Sequence, residues 1–188
     1  MLKPLIIIPS RLGSNRLQEK ALKMINGQPM ICHVWSNALK ADLGPVVVAT
    51  DSEKISNVID AKGGNAILTD VNHHSGSDRI YEALCKFDPN FSYDLIINLQ
   101  GDMPNIEPQA ISDLINYMQK GNCDIGTLAS SFSSNDELAD ENTVKVAVKE
   151  QLIAGKFSEA IDFFRVDKKK YENYHHHIGI YALSLIHI

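Results

Sequence analysis

A doubly wound α/β fold, with a mostly parallel sheet that turns mixed in its later part, is predicted by three observations. Short, wholly apolar runs recur along the chain; stretches with apolar residues at three- and four-residue spacing separate them; and polar loops follow the runs. Leu5–Ile8 is the first run, with the character of a strand buried on both faces. A polar loop over residues 9–27 follows it. A helix is expected from Pro29, which suits a first turn, with Met30, Val34, Ala38 and Leu39 inward. Val46–Ala49 is the second strand. Ser52 then reads as the N-cap of a helix burying Ile55, Val58 and Ile59 and stopped by Gly63-Gly64, before a third strand, Asn65–Leu68. After a polar loop over residues 69–77, Ile80, Leu84 and Phe87 share a helix face, and Asp94–Asn98 is the fourth strand. Ile111, Leu114, Ile115 and Met118 mark a further helix closed by Gly121. Strand-like segments follow at 124–132, 143–149, 151–157 and 177–183.

The 188 residues are 44% hydrophobic and 22% charged, which predicts one water-soluble domain over residues 1–188 with a buried core. No apolar run approaches the roughly 18 residues of a membrane helix, and the N-terminus has no secretory pattern, so a cytoplasmic protein without membrane insertion is expected. Cys32, Cys85 and Cys123 are widely spaced and odd in number, as expected of reduced thiols in a core. A net charge of −5 argues against a nucleic-acid partner. The charge is unevenly spread: residues 1–30 hold Lys3, Arg11, Arg16, Lys20 and Lys23 against Glu19 alone.

In open sheets of this type the ligand lies beyond the carboxyl ends of the strands, so the following loops are where function is sought. The loop after the first strand carries Arg11, Arg16 and Lys20 with Gly13 and Ser14 among them. Three cations and close main-chain amides suit a triphosphate, although neither the P-loop nor the dinucleotide fingerprint is present. The loop after the third strand carries His73, His74, Ser75, Gly76, Ser77, Asp78 and Arg79; Ser75 or Ser77 could equally cap the next helix. The fourth strand delivers Gln100, Gly101 and Asp102 to the ligand side. Asp102 is a hard oxygen donor suited to Mg2+, and Gly101 could leave room for a nucleotide or let main chain approach it.

These motifs, in this order, resemble the sugar-activating cytidylyltransferases, above all their 3-deoxy-manno-octulosonate (Kdo) branch. The resemblance rests on Arg11-x-x-Ser14-x-Arg16-Leu-x-x-Lys20, Ile25-Asn-Gly27, Pro29-Met-Ile31, His73-x-Ser-Gly-Ser-Asp-Arg79, Gln100-Gly-Asp-x-Pro104, Val144-Lys-Val146 and His177-x-Gly-x-Tyr181. It implies a Rossmann-like nucleotidyltransferase fold and transfer of CMP from CTP to the anomeric oxygen of Kdo, with release of pyrophosphate, for lipopolysaccharide biosynthesis. By the same resemblance Arg11, Ser14, Arg16 and Lys20 grip the phosphates, and His73, Ser75, Gly76, Arg79 and Gln100 help to bind nucleotide. Asp102 would hold the catalytic Mg2+, and Gln100, His177 and Tyr181 would face the sugar. Arg11, Lys20 and Asp102 are the implied catalytic residues, and a homodimer the implied assembly of a full-length chain.

Four departures from the family pattern stand out. Gln18 replaces a proline, Met103 a glutamate and Glu159 an arginine expected to contact the acidic sugar. The family's C-terminal portion, with its dimer-forming segment and second metal-binding aspartate, is expected to be missing. The alternatives are therefore an enzyme for a related acidic sugar, of the 8-amino-Kdo or sialic-acid type, or a nucleotide-binding homologue without turnover.

Overall fold

The first apolar run forms β1 (Pro4–Ser10), in which Leu5, Ile6, Ile7 and Ile8 have no solvent exposure. The computed structural model describes residues 2–13, 17–120, 123–166 and 171–185. The chain divides into two compact units, Met1–Gly126 with Ile180–Ile188, and Thr127–Gly179.

In the first unit, the loop after β1 holds a 3-10 turn (Lys20–Leu22) and a small hairpin of β2 (Met24–Ile25) and β3 (Gln28–Pro29). Asn26 and Gly27 both have positive φ, 47° and 80°, as the tight turn of such a hairpin requires. Then come α1 (Met30–Lys40), β4 (Val46–Thr50), α2 (Glu53–Asp60), β5 (Asn65–Leu68), α3 (Gly76–Phe87), β6 (Leu95–Leu99) and α4 (Pro108–Met118). Strands run in the order β5-β4-β1-β6, all parallel. The C-terminal part of β10 (Tyr174–Ser184) closes this sheet antiparallel to β6, from Ile180 opposite Leu99 to Ser184 opposite Leu95. The mostly parallel sheet with a mixed later part is thus observed.

Alternation along the strands divides the core between two faces. Leu5, Ile7, Val47, Ala49 and Ile96 form one cluster with Ile80, Ala83 and Leu84 of α3. α1 packs against β1 and β4 and against α2 and α4. Burying one Leu or Ile side chain contributes about 1.5–3 kcal/mol, so these aliphatic strands and the helix faces against them stabilise the unit. Two predicted details change. Leu39, expected inward, is 44% exposed, because the buried side of α1 is Met30, Ile31, Cys32, Val34 and Ala38. Among the cysteines, Cys32 is buried but Cys123 is exposed, so the thiols do not share a core setting. Gly121 lies outside the described residues.

The second unit holds most of β7 (Ile125–Ser130), with α5 (Asn135–Ala139), β8 (Lys145–Val148), β9 (Ala160–Phe164) and the start of β10. β8 pairs antiparallel with β9 and with Tyr174–His176 of β10. The strand expected at 151–157 is not formed. Gly155 adopts φ 74° and the Lys156 amide donates to Ile153 O at 2.9 Å, so the segment turns and Ile153 is left 68% exposed. The strand begins later, at Ala160. Helix α5 was not expected, although Ser134 caps it by accepting the Glu137 amide at 3.1 Å.

Candidate functional site

Parallel β1, β4, β5 and β6 present their carboxyl ends at one edge, and a cleft of about 760 Å³ opens there in the first unit. Register explains which residues meet. Ser10 lies opposite Thr50, Thr50 opposite Leu68, Ile7 opposite Asn98, and Asn98 opposite Tyr181. The loops that leave these strands therefore start side by side. The cleft is lined by Arg11, Lys20, His73, Ser75, Gly76, Arg79, Gln100, Asp102 and Tyr181 from the predicted set. Ser14 and Arg16 lie outside the described residues. His177 belongs to the second unit, where its Nε2 is 3.0 Å from Thr127 Oγ1 and its ring meets Phe163 edge-on. Burial, and then the neighbouring His176, hold the His177 imidazole below its ordinary pKa.

On one wall, Lys20 Nζ donates to Asp102 Oδ2 at 2.6 Å, with both side chains well exposed, 39% and 45%. Lys20 is placed by its turn, which buries Ala21 and begins at Glu19 in a left-handed conformation. Glu19 is tethered in turn by Lys54 of α2, at 2.7 Å. Asp102 is set by a turn in which the Met103 amide donates to Gln100 O at 3.3 Å. Asn37 Nδ2 holds the next stretch through Pro104 O at 3.0 Å. Gly101 is needed because a Cβ there would stand 3.0 Å from Pro9 O and 3.3 Å from Ile31 Cδ1. Its missing side chain lets the end of β1 approach closely.

The N-terminus of α3 forms another part of the lining. Ser75 is its N-cap in a reciprocal capping box: the Asp78 amide donates to Ser75 Oγ at 3.1 Å, and the Ser75 amide donates to Asp78 Oδ2 at 3.1 Å. Ser75, Gly76 and Ser77 thus bring a helix terminus, which favours anions, to the cleft. His73 Nε2 is bonded to Glu82 Oε2, and Glu82 also receives the Asp70 amide at 2.8 Å and Lys86 Nζ at 2.6 Å. Burial alone would raise the Glu82 pKa. The bonds from Lys86, the Asp70 amide and His73 overcome it and bring the carboxyl down to about 2.

Arg79 contributes to the lining but is only 4% exposed. Its Nη2 donates to Asp51 Oδ2 at 3.1 Å and its Nη1 to Thr69 Oγ1, while the other Asp51 oxygen accepts the Leu12 amide at 3.0 Å. On the floor, Asn98 is buried, and its Oδ1 has no hydrogen-bond partner among the described residues. Tyr181, across from it, has its phenol pushed up by burial. Four residues at the site were not singled out from the sequence: Asp51, Thr69, Glu82 and Asn98. Asp51 directly follows the buried β4 and Thr69 directly follows β5, so the rule that led to Asp102 could have found them. Asn98 is hidden within an apolar strand, and no sequence signal joins Glu82 to His73.

A Cytidylyltransferase family model matches residues 5–184. A 3-deoxy-manno-octulosonate cytidylyltransferase of Rhodospirillum centenum is 43% identical over 180 residues, covering 95% of this chain and 70% of that protein. One from Bartonella bacilliformis is 42% identical over 183 residues, covering 96% and 74%. Among solved structures, a CMP:2-keto-3-deoxy-manno-octonic acid synthetase complexed with CTP superposes with a TM-score of 0.83 at 36% identity, over 97% of this chain and 74% of that one. A 4-diphosphocytidyl-2C-methyl-D-erythritol synthase shares the fold alone, with a TM-score of 0.61 at 14% identity.

Proposed function

The chain belongs to the cytidylyltransferase family, and on that premise we propose that it transfers CMP from CTP to the anomeric oxygen of 3-deoxy-D-manno-octulosonate, giving CMP-Kdo and pyrophosphate. The observation that carries this reading is the cleft in which Arg11, Lys20 and Asp102 converge with the N-terminus of α3. It combines cations for a polyphosphate with one exposed carboxylate, in a fold whose relative with a TM-score of 0.83 was solved with CTP.

The chemistry is attack of the sugar's anomeric oxygen on the α-phosphorus of CTP, with pyrophosphate leaving. The protein's work is to hold, align and neutralise. Arg11 and Lys20 would grip phosphate oxygens, as would Ser14 and Arg16, while the helix terminus at Ser75 and Gly76 adds a further anion-favouring surface. His73 would contact the nucleotide, and Gln100 either substrate. Tyr181, which lines the cleft, would orient the sugar. A phosphate arriving at Lys20 competes with Asp102 for the ammonium and leaves Asp102 Oδ2 open to another cation.

Mg2+ is the cation that fits. Asp102 is an exposed carboxylate at the cleft. That donor set suits an ion that takes one carboxylate together with phosphate oxygens and water. When bound, the ion supplies Lewis-acid polarisation of the phosphate. We further infer a cytoplasmic homodimer whose product serves lipopolysaccharide assembly. Among the described residues, no helix is long and apolar enough to cross a membrane.

The test incubates the purified protein with CTP, Mg2+ and Kdo, with 8-amino-Kdo and sialic acid in parallel reactions. Kdo-dependent release of pyrophosphate and CMP-Kdo is expected. No release with any sugar sinks the enzymatic reading, and release with another sugar in preference to Kdo changes the substrate.

A further inference from the structure

We propose that Asp51 is a positioning residue that fastens the phosphate loop after β1 to the buried Arg79 of α3, and that Arg79 is a strut in the cleft wall rather than a ligand of the nucleotide. The inference rests on reading the β1 loop as the phosphate-binding element.

Three strands bring the parts together. Because Ser10, Thr50 and Leu68 lie side by side, the residues that leave β1, β4 and β5 emerge as neighbours, and Asp51 stands between the other two exits. Asp51 spends both oxygens there. Oδ1 accepts the Leu12 amide at 3.0 Å, in the loop that begins with Arg11, and Oδ2 accepts Arg79 Nη2 at 3.1 Å. Arg79 is occupied in the same way, since its Nη1 is engaged by Thr69 Oγ1. That hydroxyl is itself bonded to Thr50 O at 3.1 Å, which ties the guanidinium back to the sheet. The Asp51 and Arg79 side chains are 10% and 5% exposed. A buried, satisfied guanidinium that turns to a phosphate would leave Asp51 as a buried carboxylate without its counter-charge, which is strongly unfavourable. A main-chain amide held by a carboxylate fixes the direction in which the loop leaves β1, and so the placement of Arg11 beside the cleft.

The test measures CTP binding by calorimetry, and the KM for each substrate, on Asp51→Asn and on the double variant Asp51→Asn/Arg79→Met. The double variant also removes the buried charge, so that it folds even where the single one does not. Both should bind CTP about tenfold more weakly, with the KM for Kdo within about twofold of the parent; a purely structural role would not separate the two substrates. Hydrogen exchange on the unaltered protein should find the Leu12 amide strongly protected. Parent-like CTP affinity in the double variant overturns the proposal, as does tighter CTP binding by Asp51→Asn, which is the signature of an Arg79 freed to bind phosphate. A Leu12 amide exchanging at the rate of an open chain does so as well. If the parent binds CTP but releases no pyrophosphate with Kdo, the activity assignment fails while this inference stands.

Discussion

Two ion pairs border the same cleft and differ mainly in burial. Lys20–Asp102 is 2.6 Å long and open to solvent, with side-chain exposures of 39% and 45%. Arg79–Asp51 is longer, at 3.1 Å, and almost wholly enclosed, at 5% and 10%. The shorter contact is the more expendable. An exposed pair is screened by water and contributes about 0–1 kcal/mol, so a ligand can replace one partner at small cost. An enclosed pair contributes little beyond what an apolar pair would, yet losing one half strands a charge. The difference teaches that distance alone does not tell which pair a ligand can open here; solvent access does.

The largest effect should come from breaking the enclosed pair. Arg79→Ala leaves Asp51 without its counter-charge and should lower unfolding free energy by about 3–5 kcal/mol in urea titration, whereas Lys20→Ala should cost less than about 1 kcal/mol. Equal losses would erase the contrast. The exposed pair should instead matter to turnover. Asp102→Ala should reduce kcat roughly 10²–10³-fold, the scale of removing one fixed electrostatic partner of a reacting group. Its urea midpoint should stay at the parent value. A large fall in that midpoint would make Asp102 a structural residue like Asp51.

The contrast also marks what could be read from the sequence. Arg11, Lys20, Gln100 and Asp102 were legible because each follows a buried strand, and the parallel sheet sends every such loop to one edge. The strands themselves were legible because runs such as Leu5–Ile8 admit no solvated face. Asp51 was not legible as a partner of Leu12 and Arg79, because that contact depends on strand register between elements distant in sequence. For Gly101 the sequence left two reasons open, room for a nucleotide or close approach of main chain, and the carbonyl of Pro9 supplies an instance of the second. At residues 151–157 the apolar composition suggested a strand, but Gly155 in a left-handed conformation turned the chain instead.

The smallest expected effect concerns a group between the two extremes. Glu82 is 24% exposed and serves His73, Lys86 and the Asp70 amide at once. Its carboxyl is held down to about 2 in the folded chain, against an ordinary value of 4.5. Its stabilisation is therefore complete above about pH 4.5 and is lost as the pH falls toward 2. Because Lys86 is half exposed, solvent screens part of the interaction, and Glu82→Gln should cost about 1–2 kcal/mol at pH 7. Urea titrations of parent and variant from pH 7 to pH 3 should show that difference narrowing below pH 4.5. A difference that stays constant down to pH 3 would mean that Glu82 holds His73 by shape and neutral hydrogen bonding. The gradation from exposed pair to enclosed pair would then have no charged member in the middle.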